Sequence, residues 1–272
     1  MDNRPIGFFD SGIGGLTSVT HIMRTLPDER IIFYGDTART PYGSKSPDTI
    51  KQFTLQIGDF LVKNDVKMIV IACNTVSATC LETLREKYPD IPVIGVISPT
   101  AKESVKLCTP EDNIGIIATK VTIKTNAYEN KIKSLNENFN LYSKACPAFV
   151  PLIEEGIIDN EIMDLTIKYY LDDFIKENDL NTLILGCTHY PLITENLKRL
   201  YPGIKIINSS KEVATAVKME LEKAGNFAEH REDKEDNVFY ASDLSENFVN
   251  MIELILGKDK EELNIKFKNL DI

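Results

Sequence analysis

Two cysteines sit in matching surroundings, Cys73 in "KMIVIACNT" (67–75) and Cys187 in "NTLILGCTH" (181–189). In each stretch an apolar run leads through a small residue to the thiol, and then to two polar residues. That pattern puts sulfur at the carboxyl end of a buried strand, just ahead of a helix. The partial positive charge of a helix N-terminus favours thiolate and lowers the thiol pKa. Cys80, Cys108 and Cys146 lack the pattern and read as small buried hydrophobes. His189 closes the second stretch. It either hydrogen-bonds the Cys187 sulfur or a ligand, or opens a helix with its side chain satisfied by backbone.

Three acidic stretches could assist. In "GFFDSGIGG" (7–15), Asp10 ends an apolar run and is followed by Ser11, Gly12, Gly14 and Gly15. Such a loop either bares its N–H groups to a small ligand or makes a tight turn with Asp10 capping the next helix. Asp36, in "FYGDTARTPYGSKS" (33–46), is either a turn cap or a second carboxylate at the same sheet edge. Glu154 and Glu155, in "PLIEEGIID" (151–159), are either functional carboxylates or exposed helix-end acids. Two thiols and a histidine could ligate zinc, but the chain has neither CxxC nor HExxH spacing, and His21 and His230 lie in unremarkable surroundings. The dinucleotide fingerprint fails because its third glycine falls at Thr17, and there is no phosphate-binding GxxxxGK[ST] loop. No metal, nucleotide or pyridoxal cofactor is expected.

The elements that must position these groups are short apolar runs alternating with amphipathic stretches. Strand-like runs fall at 5–10, 31–36, 68–73, 93–97, 114–119, 182–187, 204–208 and 238–242, with helix-like segments such as 47–64, 75–88, 160–177, 190–200, 210–224 and 245–256. Alternation of this kind predicts an α/β fold with mainly parallel sheets flanked by helices, whose ligands sit beyond the carboxyl ends of the strands. One strand–Cys unit in each half of the chain either marks two similar domains facing each other or is a coincidence of a pattern common in cores. The charged run "EHREDKED" (229–236) reads as a solvated loop.

A chain of 272 residues, 43% hydrophobic and 26% charged, has ordinary globular composition and room for one large or two modest domains. Its net charge of −10 argues against nonspecific binding to nucleic acid or an anionic membrane. No signal peptide and no membrane-length apolar stretch is visible, so a soluble cytoplasmic protein with reduced thiols is expected.

Taken in order, "FFDSGIGGLT", "FYGDTARTPYG", "IVIACNT", "FVPLIEEG" and "LILGCTHYPL" resemble the glutamate racemases of the aspartate/glutamate racemase superfamily. The resemblance implies two α/β domains, one of residues 1–97 and 209–272 and one of residues 98–208, with the active site at their interface. It implies no cofactor, glutamate as the small-molecule substrate, D-glutamate supplied to peptidoglycan, and a homodimer. It carries Cys73 and Cys187 over as the acid/base thiols and Asp10, Asp36, Glu154 and His189 as auxiliary polar groups. Asp10, Ser11, Tyr42, Gly43, Asn74, Thr75, Thr188 and His189 fall on substrate-contacting positions. Val121 stands where the family usually has glycine.

Racemisation removes an α-proton from one face and returns a proton to the other. Two groups on opposite sides do this without turning the substrate over, and duplicated domains with one cysteine each would supply them. Without a pyridoxal electron sink, exclusion of water and aimed N–H dipoles must stabilise the carbanion. Backbone N–H groups in 11–12, 74–75 and 188–189 are expected to hold the substrate carboxylates.

Overall fold

The computed structural model describes residues 1–230 and 236–270, and in it two wholly parallel sheets are flanked by helices. The chain first lays down β1 (Ile6–Asp10), β2 (Ile31–Gly35), β3 (Met68–Ile71) and β4 (Val93–Gly95). It then forms β5 (Asn113–Ala118), β6 (Asn140–Ala145), β7 (Thr182–Gly186) and β8 (Lys205–Asn208), and ends with β9 (Val238–Ala241) and β10 (Asn264–Phe267). The sheets run β10-β9-β2-β1-β3-β4 and β6-β5-β7-β8. Orders β2-β1-β3-β4 and β6-β5-β7-β8 are therefore one topology used twice. In each copy a cysteine follows the third strand to be formed, Cys73 after β3 and Cys187 after β7.

Strand patterning explains the burial. Ile6, Phe8, Phe33 and Val70 point into one apolar cluster, whereas Phe9, Tyr34, Ile69 and Ile71 point into another on the opposite face. With both faces covered, these strands carry near-continuous apolar runs instead of alternating ones. The first cluster continues without a break into the second sheet through Ile114, Ile116, Leu183 and Leu185.

Between sheets the chain passes outward through helix Ile97–Leu107 and returns through helix Ser209–Ala224. These two helices pack against each other, and the second also packs against helix Leu16–Thr25. Helix starts are set by side chains accepting from the freed backbone N–H groups: Ser46 from Thr49, Thr119 from Thr122, Asn160 from Met163 and Ser245 from Phe248. Val121 lies in the short helix Lys120–Lys124 and packs its side chain on the second cluster, so no glycine-only backbone is needed there.

The sequence reading misses two strands, β6 and β10. Both are partly exposed edge strands with mixed polar composition, "NLYSKA" and "NIKF", and so lack an apolar run. The helix expected over 190–200 is a 3-10 turn at Tyr190–Ile193 followed by helix Thr194–Leu200. Of the charged run 229–236, residues 231–235 lie outside the described residues. No described helix is long and apolar enough to cross a membrane.

At the amino end of the first sheet, Lys67 Nζ lies 2.7 Å from Glu29 Oε2, with the two side chains only 1% and 2% exposed. The ammonium also donates to the Asp2 and Asn226 carbonyls at 2.6 and 2.8 Å, and Glu29 Oε1 accepts from Ala228 N–H at 2.8 Å. This pair holds the returning chain, residues 226–228, against the first sheet. Breaking it by Lys67→Met leaves a buried carboxylate and is expected to cost about 3–5 kcal/mol in urea unfolding. Lys67→Met combined with Glu29→Leu is expected to recover a substantial part of that loss.

Candidate active site

The carboxyl ends of β1, β3, β5 and β7 converge on a cavity of about 20 Å³ lined by residues of both sheets, with both Cys73 and Cys187 in its wall. A space of that size holds about one water molecule. It has no room for an amino acid, so the described state is closed.

At the end of β1, Asp10 is fully buried and accepts from Gly12 N–H at 3.1 Å and from the Thr188 hydroxyl at 3.4 Å. Burial raises its pKa above the ordinary carboxylate value, against the opposing pull of nearby His189. The glycines of this loop admit protein. A Cβ on Gly14 would lie 2.5 Å from Thr188 Oγ1 and 2.8 Å from His189 Nδ1, and one on Gly12 would lie 3.2 Å from Glu154 Oε1. The bare loop expected to admit a ligand is thus closed over by the loop following β7, and Ser11 is its one residue in the cavity wall.

Cys73 is the N-cap residue of helix Asn74–Lys87 and is 4% exposed. Its thiol donates to Ser11 Oγ at 3.4 Å. Burial pushes it up to about 12 and the Asp10 carboxylate adds to the rise, outweighing the hydrogen bonds from Ser11 and the Val76 backbone. The lowered pKa expected from the helix N-terminus is therefore reversed in the closed site. Desolvation of the charged form is the larger effect there.

Cys187 is likewise buried, but the residues after it bend into the 3-10 turn before any α-helix begins. Its neighbour is His189, whose Nδ1 lies 3.9 Å from the sulfur and whose Nε2 lies 3.1 Å from Glu154 Oε1. Burial alone would lower the imidazole pKa. Hydrogen bonds and charge from Cys187 and Glu154 overcome it and hold the ring well above its ordinary value. Both ring nitrogens face acceptors, the arrangement of an imidazolium. Glu154 also accepts from Thr40 Oγ1 at 3.3 Å.

Asp36 lies beside Asp10, its N–H donating to the Asp10 carbonyl at 3.1 Å, yet its carboxylate is committed elsewhere. It pairs with Arg39 Nε at 2.8 Å, accepts from Ser242 Oγ at 2.9 Å, and takes a short hydrogen bond from the Tyr42 hydroxyl. Arg39 in turn stacks over Phe53, 4.0 Å from the ring centre. This buried network fixes the turn that carries Tyr42 and Gly43 to the cavity. Gly43 is tight against the second sheet, since a Cβ would meet Thr119 at 2.6 Å.

Asn74 and Thr75 open the helix behind Cys73. Tyr128 donates to Asn74 Oδ1 at 2.6 Å, while the buried Asn74 Nδ2 has no hydrogen-bond partner. Thr75 Oγ1 meets Thr119 Oγ1 at 3.0 Å.

Cys73, Cys187, Ser11, Tyr42, Gly43, Asn74, Thr75, Thr188 and His189 thus all line the cavity, whereas Asp10, Asp36 and Glu154 stand behind its wall. Glu154 and Glu155 instead line an adjoining outer pocket of about 180 Å³ with Ser245 and Phe248. Thr40, Thr119 and Val150 also line the cavity and were not anticipated. Thr119 has a sequence signal: "IGIIAT" (114–119) repeats "IGFFDS" (6–11), which puts Thr119 in the place of Ser11. Among the described residues no group of three or more His, Cys, Asp or Glu side chains could hold a metal ion.

Comparison with known proteins agrees along the whole chain. The family model described as Asp/Glu/Hydantoin racemase matches residues 16–217. A glutamate racemase of Sulfurihydrogenibium sp. is 45% identical over 262 residues, covering 95% of this chain and 96% of the relative. One from Geobacter metallireducens is 40% identical, with 94% of each chain covered. In three dimensions, the glutamate racemase of Francisella tularensis, solved in complex with D-glutamate, superposes with a TM-score of 0.91 at 38% identity, covering 100% of this chain and 99% of that one. The chain therefore belongs to the Asp/Glu/hydantoin racemase family and, within it, to the glutamate racemases.

Proposed function

We propose that the chain interconverts L- and D-glutamate by a cofactor-independent two-thiol mechanism, with Cys73 serving one face of the α-carbon and Cys187 the other. One observation carries the reading: the same four-strand order occurs twice, each copy ends its third strand at a cysteine, and both thiols reach one cavity. On this reading residues 1–97 with 209–272 form one domain and residues 98–208 the other. The product supplies D-glutamate to peptidoglycan, and the enzyme works in the cytoplasm as a homodimer.

The two lobes part to admit glutamate and close over it. One sulfur, as thiolate, takes the α-proton, leaving the electron pair delocalised into the α-carboxylate. The other sulfur, as thiol, donates its proton to the opposite face. Proton count is conserved, and the thiol and thiolate have exchanged places. In the closed site Cys73 holds its proton against Ser11. Cys187 stands beside the His189 imidazolium, which Glu154 supports from behind.

Substrate changes this balance. An ammonium group arriving in a water-free site favours thiolate at a sulfur it approaches, the opposite of what burial does alone. The unpartnered Asn74 Nδ2 and the N–H groups of Ser11, 74–75 and 188–189 are suited to the carboxylates and to the charge that develops on them, whereas Gly12 N–H, expected to join them, is committed to Asp10. Asp10, with both oxygens engaged, acts through its charge on Cys73 and through Thr188. Asp36 acts by fixing Tyr42 and Gly43.

Incubating the purified protein with L-glutamate and no added cofactor is expected to yield D-glutamate, and its persistent absence overturns the reading. Cys73→Ser and Cys187→Ser are each expected to lower racemisation by about 10²- to 10⁴-fold, the range of a positioned acid–base group. Each variant retains one thiol, so each should still eliminate a β-leaving group from one enantiomer of a substituted glutamate. Elimination from both enantiomers by a single variant would refute the assignment of one thiol to each face.

Asp10 gives a pH-dependent prediction. Its folded pKa lies above the ordinary carboxylate value of 3.8, so its protonated form is the one that stabilises the fold, and stability declines as pH rises from 3.8 through the folded value. Asp10→Asn removes that dependence. The variant is expected to melt above the parent at pH 8, with the gap closing as pH falls toward 3.8. Its kcat should drop by roughly 100-fold, the scale of one preorganised electrostatic group.

A further inference from the structure

We infer that Tyr128 is a positioning residue for substrate recognition, setting the amide of Asn74 so that its NH₂ group faces the substrate carboxylate; this rests on the reading of Asn74 as a substrate contact. The two residues belong to opposite sheets. Asn74 is the first residue of the helix behind Cys73, and Tyr128 lies in helix Ala127–Leu135, which packs with the second sheet's elements.

Both side chains are buried, Tyr128 at 1% and Asn74 at 2% exposure, and the phenol donates to Asn74 Oδ1 at 2.6 Å. A primary amide has one acceptor atom and one donor atom, both in its plane and on opposite sides of the Cβ–Cγ bond axis. Committing the oxygen to Tyr128 turns the nitrogen away from it. That nitrogen is buried and has no partner, and Asn74 belongs to the cavity wall beside Cys73. A donor so placed is costly to leave unmade and is matched by an acceptor oxygen of an anionic group. Turned the other way, the amide would present its own oxygen to a carboxylate and repel it.

The ring is itself held firmly. A Cβ on Gly186, directly before Cys187, would lie 3.2 Å from Tyr128 Cε2, so the backbone that carries one thiol abuts the ring that orients the amide beside the other. Thr75, next to Asn74, is engaged in the same way by the hydroxyls of Thr119 and Thr122 at 3.0 and 3.4 Å. Both residues that open the Cys73 helix are thus gripped by side chains of the opposite sheet. Parting the lobes breaks the Tyr128–Asn74 bond and frees the amide to turn. Closing them resets it, so carboxylate recognition is completed by closure.

The test is a double-mutant cycle on KM for L-glutamate. Tyr128→Phe keeps the ring and removes the hydroxyl, and is expected to raise KM about tenfold, the scale of one charge-assisted hydrogen bond. The change in kcat should be smaller, with the isotope effect on α-deuterated glutamate preserved. Asn74→Ala should raise KM at least as far, and adding Tyr128→Phe to it should change nothing further, because the phenol acts only through the amide. A merely structural role for Tyr128 would instead make the two effects multiply, and that result overturns the inference. So does a parental KM in Tyr128→Phe when Asn74→Ala has raised it. If Asn74→Ala leaves KM unchanged, the underlying reading of Asn74 as a substrate contact fails first. Asn74→Asp tests the orientation without altering Tyr128: its second oxygen then faces the substrate carboxylate, and KM should exceed that of Asn74→Ala. A KM at or below that of Asn74→Ala overturns the inference.

Discussion

Gly14 has no side chain, and the loop that follows β7 occupies the space where one would be, with Thr188 and His189 inside the reach of a Cβ. From this contact between two strand-end loops the rest of the site follows. It brings Thr188 to Asp10, seats His189 between Cys187 and Glu154, and sets the Thr40–Glu154 hydrogen bond across the adjoining seam. It also shuts water out, leaving thiols, carboxylates and an imidazole in a medium where each charge acts strongly on its neighbours. Larger residues in the loop would hold the sheets apart, and the two thiols would face solvent instead of one another's cavity.

Burial at this seam acts unequally on the two sides. Around Cys73 it combines with Asp10 to favour the protonated thiol, whereas 3.9 Å from Cys187 stands a histidine held in its charged form. Two strand ends of the same topology therefore differ electrically because their neighbours differ. The β1 loop contributes an acid and a hydroxyl to one side, and the β7 loop with Glu154 contributes a cation and its counter-charge to the other. The Asp36–Arg39–Tyr42–Ser242 network has no direct part in this balance. It extends the influence of β9 to the cavity wall, because Ser242 follows that strand.

Much of this was legible in the sequence where burial and periodicity speak plainly. Central strands covered on both faces announce themselves as unbroken apolar runs, and the two strand–Cys units pointed to a duplicated arrangement before any coordinates. Edge strands β6 and β10 were silent because exposure on one side lets lysine, serine and asparagine into them. Residues at or just past the carboxyl end of a strand, such as Asp10 and Cys73, stand out because an apolar run ends there. Thr40, Pro41 and Val150 are not legible because they reach the cavity only through contacts between distant segments, whereas Thr119, directly after β5, is legible only once its repeat of Ser11 is noticed. The direction of the Cys73 shift was misjudged for the same reason: a helix end is visible in sequence, but the depth of burial and the approach of Asp10 are not. Nothing in the sequence sets Tyr128 apart; its hydroxyl, 2.6 Å from Asn74, does.

The unlike surroundings of the two sulfurs carry a kinetic consequence under the two-thiol reading. Enantiomers have equal free energies in an achiral solvent, so the reaction itself has no preferred direction. The catalyst does. Each turnover leaves it with the proton on the other sulfur, and it thereby retains a record of which hand it last released. Before it can accept the same enantiomer again, that record must be erased by moving a proton between the lobes, either through solvent on opening or by running the chemistry backwards. The more the wall around Cys73 favours thiol, the faster one of the two enzyme forms relaxes and the rarer it is. An asymmetric pair of lobes thus gives a symmetric reaction a resting hand.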